Sequence, residues 1–114
     1  MKRIAILTCL KANDVCAGCS CLSALYERRG AFARYAGEDV RLTAFMRCSA
    51  CRRDGGEPDA GEIEKLDRLA QEGTEAVHVG VCALDRASGD MCPGMRHLAE
   101  ECRARGMEVV LRTH

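Results

Sequence analysis

The chain has no net charge, few aromatics and no long apolar run, and each lack removes a class of function. Seventeen basic residues balance seventeen acidic ones, so no net positive field gathers nucleic acid. Aromatic residues make up 4%, too few for a base-stacking surface. No segment approaches the roughly 18 apolar residues of a membrane span. Neither nucleic acid nor membrane is an expected partner.

Residues 1–14, MKRIAILTCLKAND, have a basic tip and an apolar run, as a secretory signal does. Lys11 interrupts the run, and no small-x-small cleavage site follows. A cytoplasmic, largely reduced chain is expected. Its 114 residues suit one domain spanning 1–114.

What the chain has in excess is cysteine, nine in all. An odd count is awkward for complete pairing, and in a reducing compartment dense cysteine means metal or redox chemistry.

Four apolar runs rich in Val, Ile and Leu read as buried strands: 3–8, 39–46, 76–82 and 108–113. Three helical patterns alternate with them. The first spans 22–36, with Leu22, Leu25, Tyr26, Phe32 and Ala36 inward and Gly37 as its stop. The second spans 59–72, opened by a capping-box-like Asp59-x-x-Glu62, with a stripe of Ile63, Leu66 and Leu69/Ala70. The third begins at Pro93 and turns Met95, Leu98, Ala99 and Cys102 inward. The order β-α-β-α-β-α-β predicts a small doubly wound α/β domain, flavodoxin-like or Rossmann-like. Its four-stranded parallel sheet has order 2-1-3-4 and helices on both faces.

In such a sheet all strand carboxyl ends lie on one edge, where open α/β folds bind ligands. Cys9 follows the first strand, and Cys16, Cys19 and Cys21 lie in the loop leading to the first helix. Cys48 and Cys51 follow the second strand, Cys82 ends the third, Cys92 precedes the third helix and His114 follows the fourth strand. These eight cysteines and His114 are the candidate metal ligands. Clustered thiolates repel one another, and a soft or borderline cation removes the conflict by displacing their protons. Cys16-Ala17-Gly18-Cys19-Ser20-Cys21 and Cys48-Ser49-Ala50-Cys51 both carry the C-x-x-C spacing that lets two sulfurs reach one ion. Arg47, Arg52 and Arg53 flank the second run, where guanidinium groups would offset the charge of a metal–thiolate centre. Zinc and an iron–sulfur cluster both suit four thiolates, and eight cysteines suffice for two sites; the spacing leaves the choice open.

A thiol–disulfide redox protein using Cys48 and Cys51 is the alternative. A thioredoxin-type pair opens a helix, whereas residues 52–58 intervene here. No phosphate cradle follows the first strand, and no arginine stands six residues after Cys9 or Cys92 as a phosphatase loop requires. No catalytic constellation is identified. Cys102 falls in an apolar stripe and reads as core. His78, inside a strand, reads as a satisfied buried histidine, and His97 as surface. His114 is poised between a frayed end and a ligand.

The chain resembles the CGGC-domain proteins over essentially its whole length. The resemblance rests on Thr8-Cys9, Val15-Cys16-Ala17-Gly18, Cys21-Leu22, Ala31-Phe32-Ala33-Arg34-Tyr35 and Gly37-Glu38-Asp39-Val40. It continues through Cys48-x-x-Cys51, His78-Val79-Gly80-Val81-Cys82, Cys92-Pro93 and Thr113-His114. It implies metal binding, with zinc indicated by the cysteines and histidines, and brings no established reaction. Ser49 and Ala50 stand where the family has glycines, and Gly94 stands where relatives often place a histidine.

Overall fold

The computed structural model describes residues 1–50 and 54–114. Its elements are β1 (Lys2–Cys9), α1 (Cys19–Glu27), β2 (Val40–Cys48), α2 (Ala60–Gln71), β3 (Ala76–Val79), α3 (Pro93–Ala104) and β4 (Glu108–Leu111). All strand pairs are parallel and the sheet order is β2-β1-β3-β4, as the alternation of strands and helices predicts.

Period-two alternation sends successive β1 residues to opposite faces. Ile4 and Ile6 join Ala24, Leu25, Phe32 and Tyr35 on the α1 face. Ala5 and Leu7 join Leu66, Leu69, Met95, Leu98 and Cys102 on the α2/α3 face. Among the described residues, no helix is long and apolar enough to cross a membrane.

The β1–β2 register carries one irregularity. Pairing runs from Lys2↔Val40 to Ile4↔Leu42, skips Thr43, and resumes from Ala5↔Ala44 to Cys9↔Cys48. The Thr43 hydroxyl donates to the Ile4 carbonyl at 3.0 Å and lies 2.7 Å from the Thr74 hydroxyl. Such a bulge leaves one residue out of the ladder and shifts everything beyond it.

The first helical pattern is corrected. α1 starts at Cys19, behind Gly18 in the left-handed region, and ends at Arg28, itself left-handed with φ +54°. A 3-10 turn, Gly30–Tyr35, follows. Within α1 the buried side is Cys21, Ala24 and Leu25, which leaves Tyr26 exposed, and the break resets the phase so that Phe32 and Tyr35 are buried and Ala36 is exposed. In α2 the inward stripe is Glu62, Leu66 and Leu69; Ile63 is only half-buried and Ala70 is exposed. β3 is shorter than expected: Gly80 ends it, and Cys82 sits in a 3-10 turn, Val81–Ala83, beyond the strand.

His78 is the satisfied core histidine expected. Its ring is fully buried, 4.4 Å from the Phe32 ring. Since a carbonyl only accepts, Nδ1–H donates to the Arg112 carbonyl at 3.2 Å and Nε2 accepts from the Tyr35 hydroxyl at 2.8 Å. Burial pushes its pKa below the ordinary 6.5, against the Arg112 carbonyl, which favours the charged ring. The unfolded chain therefore takes up the proton first as pH falls below about 6.5, so stability present above that value is lost down to the folded pKa. Urea midpoints should fall between pH 7.5 and 5, and this part of the fall should be absent in His78→Gln. An unchanged pH profile in that variant would show that other groups carry the dependence.

Candidate metal and thiol site

The strand ends deliver the cysteines as the topology requires. Cys9 and Cys48 end β1 and β2 as direct register partners. Cys82 lies just beyond β3, and Cys92 is the N-cap of α3, with Pro93 in the first turn. Cys19 and Cys21, expected on a loop, belong instead to the first turn of α1, so helix geometry fixes their spacing. Cys51, with Arg52 and Arg53, lies outside the described residues.

The sulfurs share one kind of contact. The Gly18 amide donates to Cys16 Sγ at 3.3 Å and the Ala50 amide to Cys48 Sγ at 3.3 Å. In both C-x-x-C runs, then, the amide two residues on turns back to the first sulfur. The Cys9 amide donates to Cys82 Sγ at 3.2 Å, and the Met95 amide to Cys92 Sγ at 3.5 Å. Each such donor favours negative charge on sulfur.

Two adjoining cavities open on this edge. One, of about 260 Å³, is lined by Cys9, Cys48, Cys92, Lys11 and the backbone of Gly56 and Gly94, among others. The other, of about 490 Å³, is lined by Cys9, Cys82, Cys92, Lys11 and Arg96, among others. Cys82 is exposed as a residue, yet its sulfur lies against the Cys9 amide and close to Gly80. This burial pushes the Cys82 thiol up, and the neighbouring Cys9, Cys21 and Cys16 thiols add to the rise, while the Cys9 N–H opposes it. Cys102, fully buried among apolar residues, is pushed up to about 11 by burial and stays with the core.

On the α1 side, Cys21 Sγ is 3.2 Å from the hydroxyl of Thr113, and the same hydroxyl is 3.0 Å from His114 Nδ1. Thr113 is fully buried. The donor chemistry thus suits a thiophilic cation. Among the described residues, however, no three His, Cys, Asp or Glu side chains stand close enough to share one ion, so these residues alone do not form a closed four-ligand zinc site.

The sequence profile of the CGGC domain matches residues 3–114. The chain belongs to the CGGC-domain family. An uncharacterized protein of Methanocaldococcus jannaschii is 35% identical to it over 87 residues, which are 70% of this chain and 61% of the relative. This chain thus spans less than two thirds of that relative's length. No solved structure matches it.

Within this CGGC-domain chain, several residues that shape the site carry no thiol. The Glu62 carboxylate does not close a capping box. Asp59 Oδ1 accepts from the Glu62 amide at 2.9 Å, but Glu62 Oε1 instead accepts from the Ser49 amide at 2.6 Å and from the Ser49 hydroxyl. A residue of α2 therefore grips the turn that carries the family's named motif. Arg47 donates to the Thr8 hydroxyl at 3.3 Å and the Cys16 carbonyl at 3.1 Å, so it ties loop to sheet. Lys11 lines both cavities, although the sequence marks it only as a break in an apolar run.

Proposed function

We propose that this CGGC-domain protein is a metal-binding protein that holds zinc or an iron–sulfur cluster on the cysteine edge of its sheet. The observation supporting this most directly is the repeated N–H···S bond: four sulfurs on one edge, Cys16, Cys48, Cys82 and Cys92, each accept a backbone amide. Hydrogen bonds of this kind stabilise thiolate ligands and tune the metal they bind. Cys9, Cys16, Cys19, Cys21, Cys48, Cys51, Cys82, Cys92 and His114 are the proposed ligands. A bound cation would supply the positive charge that lets neighbouring thiolates coexist. The chain's own part is to release thiol protons, fix strand-end sulfurs on a rigid sheet, and keep amide donors on them.

Metal content and the visible spectrum of protein purified without oxygen test this reading. Stoichiometric zinc without colour, or iron with acid-labile sulfide and a brown colour, is the expected outcome. Cys9→Ser and Cys48→Ser should lower metal per chain, since a hard oxygen replaces a soft ligand at the same place. Cys102→Ala should keep the metal and lose about 1 kcal/mol of packing. Metal-free protein with a reversible Cys48–Cys51 disulfide would move the function to thiol–disulfide redox chemistry. Helix placement counts against that alternative: α2 opens at Ala60 behind the Asp59 cap, well past the cysteine pair.

A further inference from the structure

Four charges around the larger cavity serve neither the fold nor the thiols. Lys11 comes from the 3-10 turn Leu10–Asp14 that follows β1, and Arg96 from the start of α3. Asp85 and Asp90 come from the loop between the Val81–Ala83 turn and α3. All four line the same space of about 490 Å³. Among the described residues, no ion pair joins any of them to an opposite charge. Elsewhere the same residue types do pair, as Arg34 does with Glu108 and Arg105 with Asp67. Two cations and two carboxylates therefore face one cleft and stay apart.

The walls that carry them are fixed. Leu84 and Met91 form an antiparallel bridge, the Asp85 amide donates to the Asp90 carbonyl at 2.8 Å, and the Gly89 amide donates to the Asp85 carbonyl at 2.8 Å. Asp85 Oδ1 accepts from the Ala87 and Ser88 amides at 2.8 and 2.9 Å. Arg96 Nη2 donates to the Met91 carbonyl at 3.1 Å. A site built before its ligand arrives loses less freedom on binding, and a cleft focuses the field of its charges. The smaller cavity shares Cys9, Lys11, Ala83, Cys92 and Pro93 with the larger one. Met95 and the backbone of Gly56 and Gly94 complete a lining that is mostly apolar.

We propose that the two cavities together bind an α-amino acid with an apolar side chain. Its carboxylate meets Lys11 and Arg96, its ammonium meets Asp85 and Asp90, and its side chain enters the smaller cavity. A simple anion would bring its charge up against both carboxylates, and a simple amine would meet both cations. A zwitterion satisfies the four at once, and an apolar pocket with a few placed polar groups is the usual form of a small-molecule site. None of the four is a proposed metal ligand, so the inference goes beyond the metal reading and stands without it.

The test titrates reduced protein, as purified, with L-valine, L-leucine and L-methionine, following amide shifts by NMR. Saturable shifts at Lys11, Ser88, Asp90 and Arg96 are expected with at least one of them. The deaminated and decarboxylated counterparts of the best binder (4-methylpentanoate and 3-methylbutylamine for leucine) should bind at least about 10-fold more weakly, since each lacks one charged partner. Asp90→Asn and Arg96→Gln, both at exposed positions, should each weaken the amino acid by about 10-fold. No saturable shift with any of the three amino acids overturns the proposal. A deaminated acid that binds as well as its amino acid overturns it too, by making the cleft an anion site, as does unchanged affinity in both folded variants.

Discussion

Gly94→Ala is expected to destabilise the fold by about 2 kcal/mol, and Ala50→Gly in the same chain to restore most of it. In an ordinary first helical turn, alanine in place of glycine gains about 1 kcal/mol. Here the new Cβ would stand 2.5 Å from the Cβ of Ala50, which is itself fully buried. Both atoms are rooted in backbone, so neither can rotate away, and overpacking of this kind costs about 1–3 kcal/mol. Gly56 closes the other side: a Cβ there would meet the Gly94 backbone at 2.7 Å. Removing the Ala50 methyl opens the space, so the double variant should return to within about 1 kcal/mol of wild type, a coupling typical of touching residues. Urea unfolding of the four chains measures it. A double variant no more stable than Gly94→Ala alone would exclude the contact as the cause. The same contact links two departures from the family pattern. A methyl at position 50 fills the space that a side chain at position 94 needs, so Ala50 and Gly94 amount to one exchange.

The second large effect belongs to Glu62. The residue is 1% exposed, so the carboxylate exists in the interior only because of its partners. Oε1 accepts from the Ser49 amide and hydroxyl, and Oε2 lies 3.5 Å from Lys65 Nζ, which also donates to the Arg47 carbonyl at 2.9 Å. Glu62→Ala deprives the Ser49 amide of its acceptor and Lys65 of its counter-charge, at an expected cost of about 3 kcal/mol. Glu62→Gln keeps an acceptor oxygen and should cost about half as much. On the metal-binding function proposed above, metal content should fall in step, because the turn carrying Cys48 loses its anchor. An alanine variant within about 0.5 kcal/mol of wild type, the usual range for surface changes, would show that the turn holds itself.

Strand order and the gathering of cysteines were legible because both follow from alternation: apolar runs against amphipathic stretches, and parallel strands that share one carboxyl edge. The interruptions were not. Arg28 carries no glycine-like signal, yet its left-handed backbone ends α1, and Phe32 and Tyr35 are buried from a separate 3-10 turn beyond it. Asp59-x-x-Glu62 reads as a local capping box because spacing reveals only local partners; the Ser49 partner of Glu62 comes from the end of another strand. Thr113 gave no signal either, since a hydroxyl that joins a helical thiol to an imidazole 93 positions further along becomes visible only once the chain has folded.

The residue left out of the β1–β2 ladder acts on chemistry far from itself. Counted straight on from Lys2↔Val40, Cys9 would stand beside Arg47. The extra residue at Thr43 advances β2 by one place and sets thiol beside thiol. Cys48 lies five positions further on, about 16 Å along a strand. Paired in line instead of bulging out, Thr43 would put the Arg47 guanidinium where the Cys48 sulfur now stands and reverse the facing of the strand beyond it. The bulge is thus part of the address that brings the two cysteines together: one residue stands aside, and every later residue of the second strand meets a different neighbour.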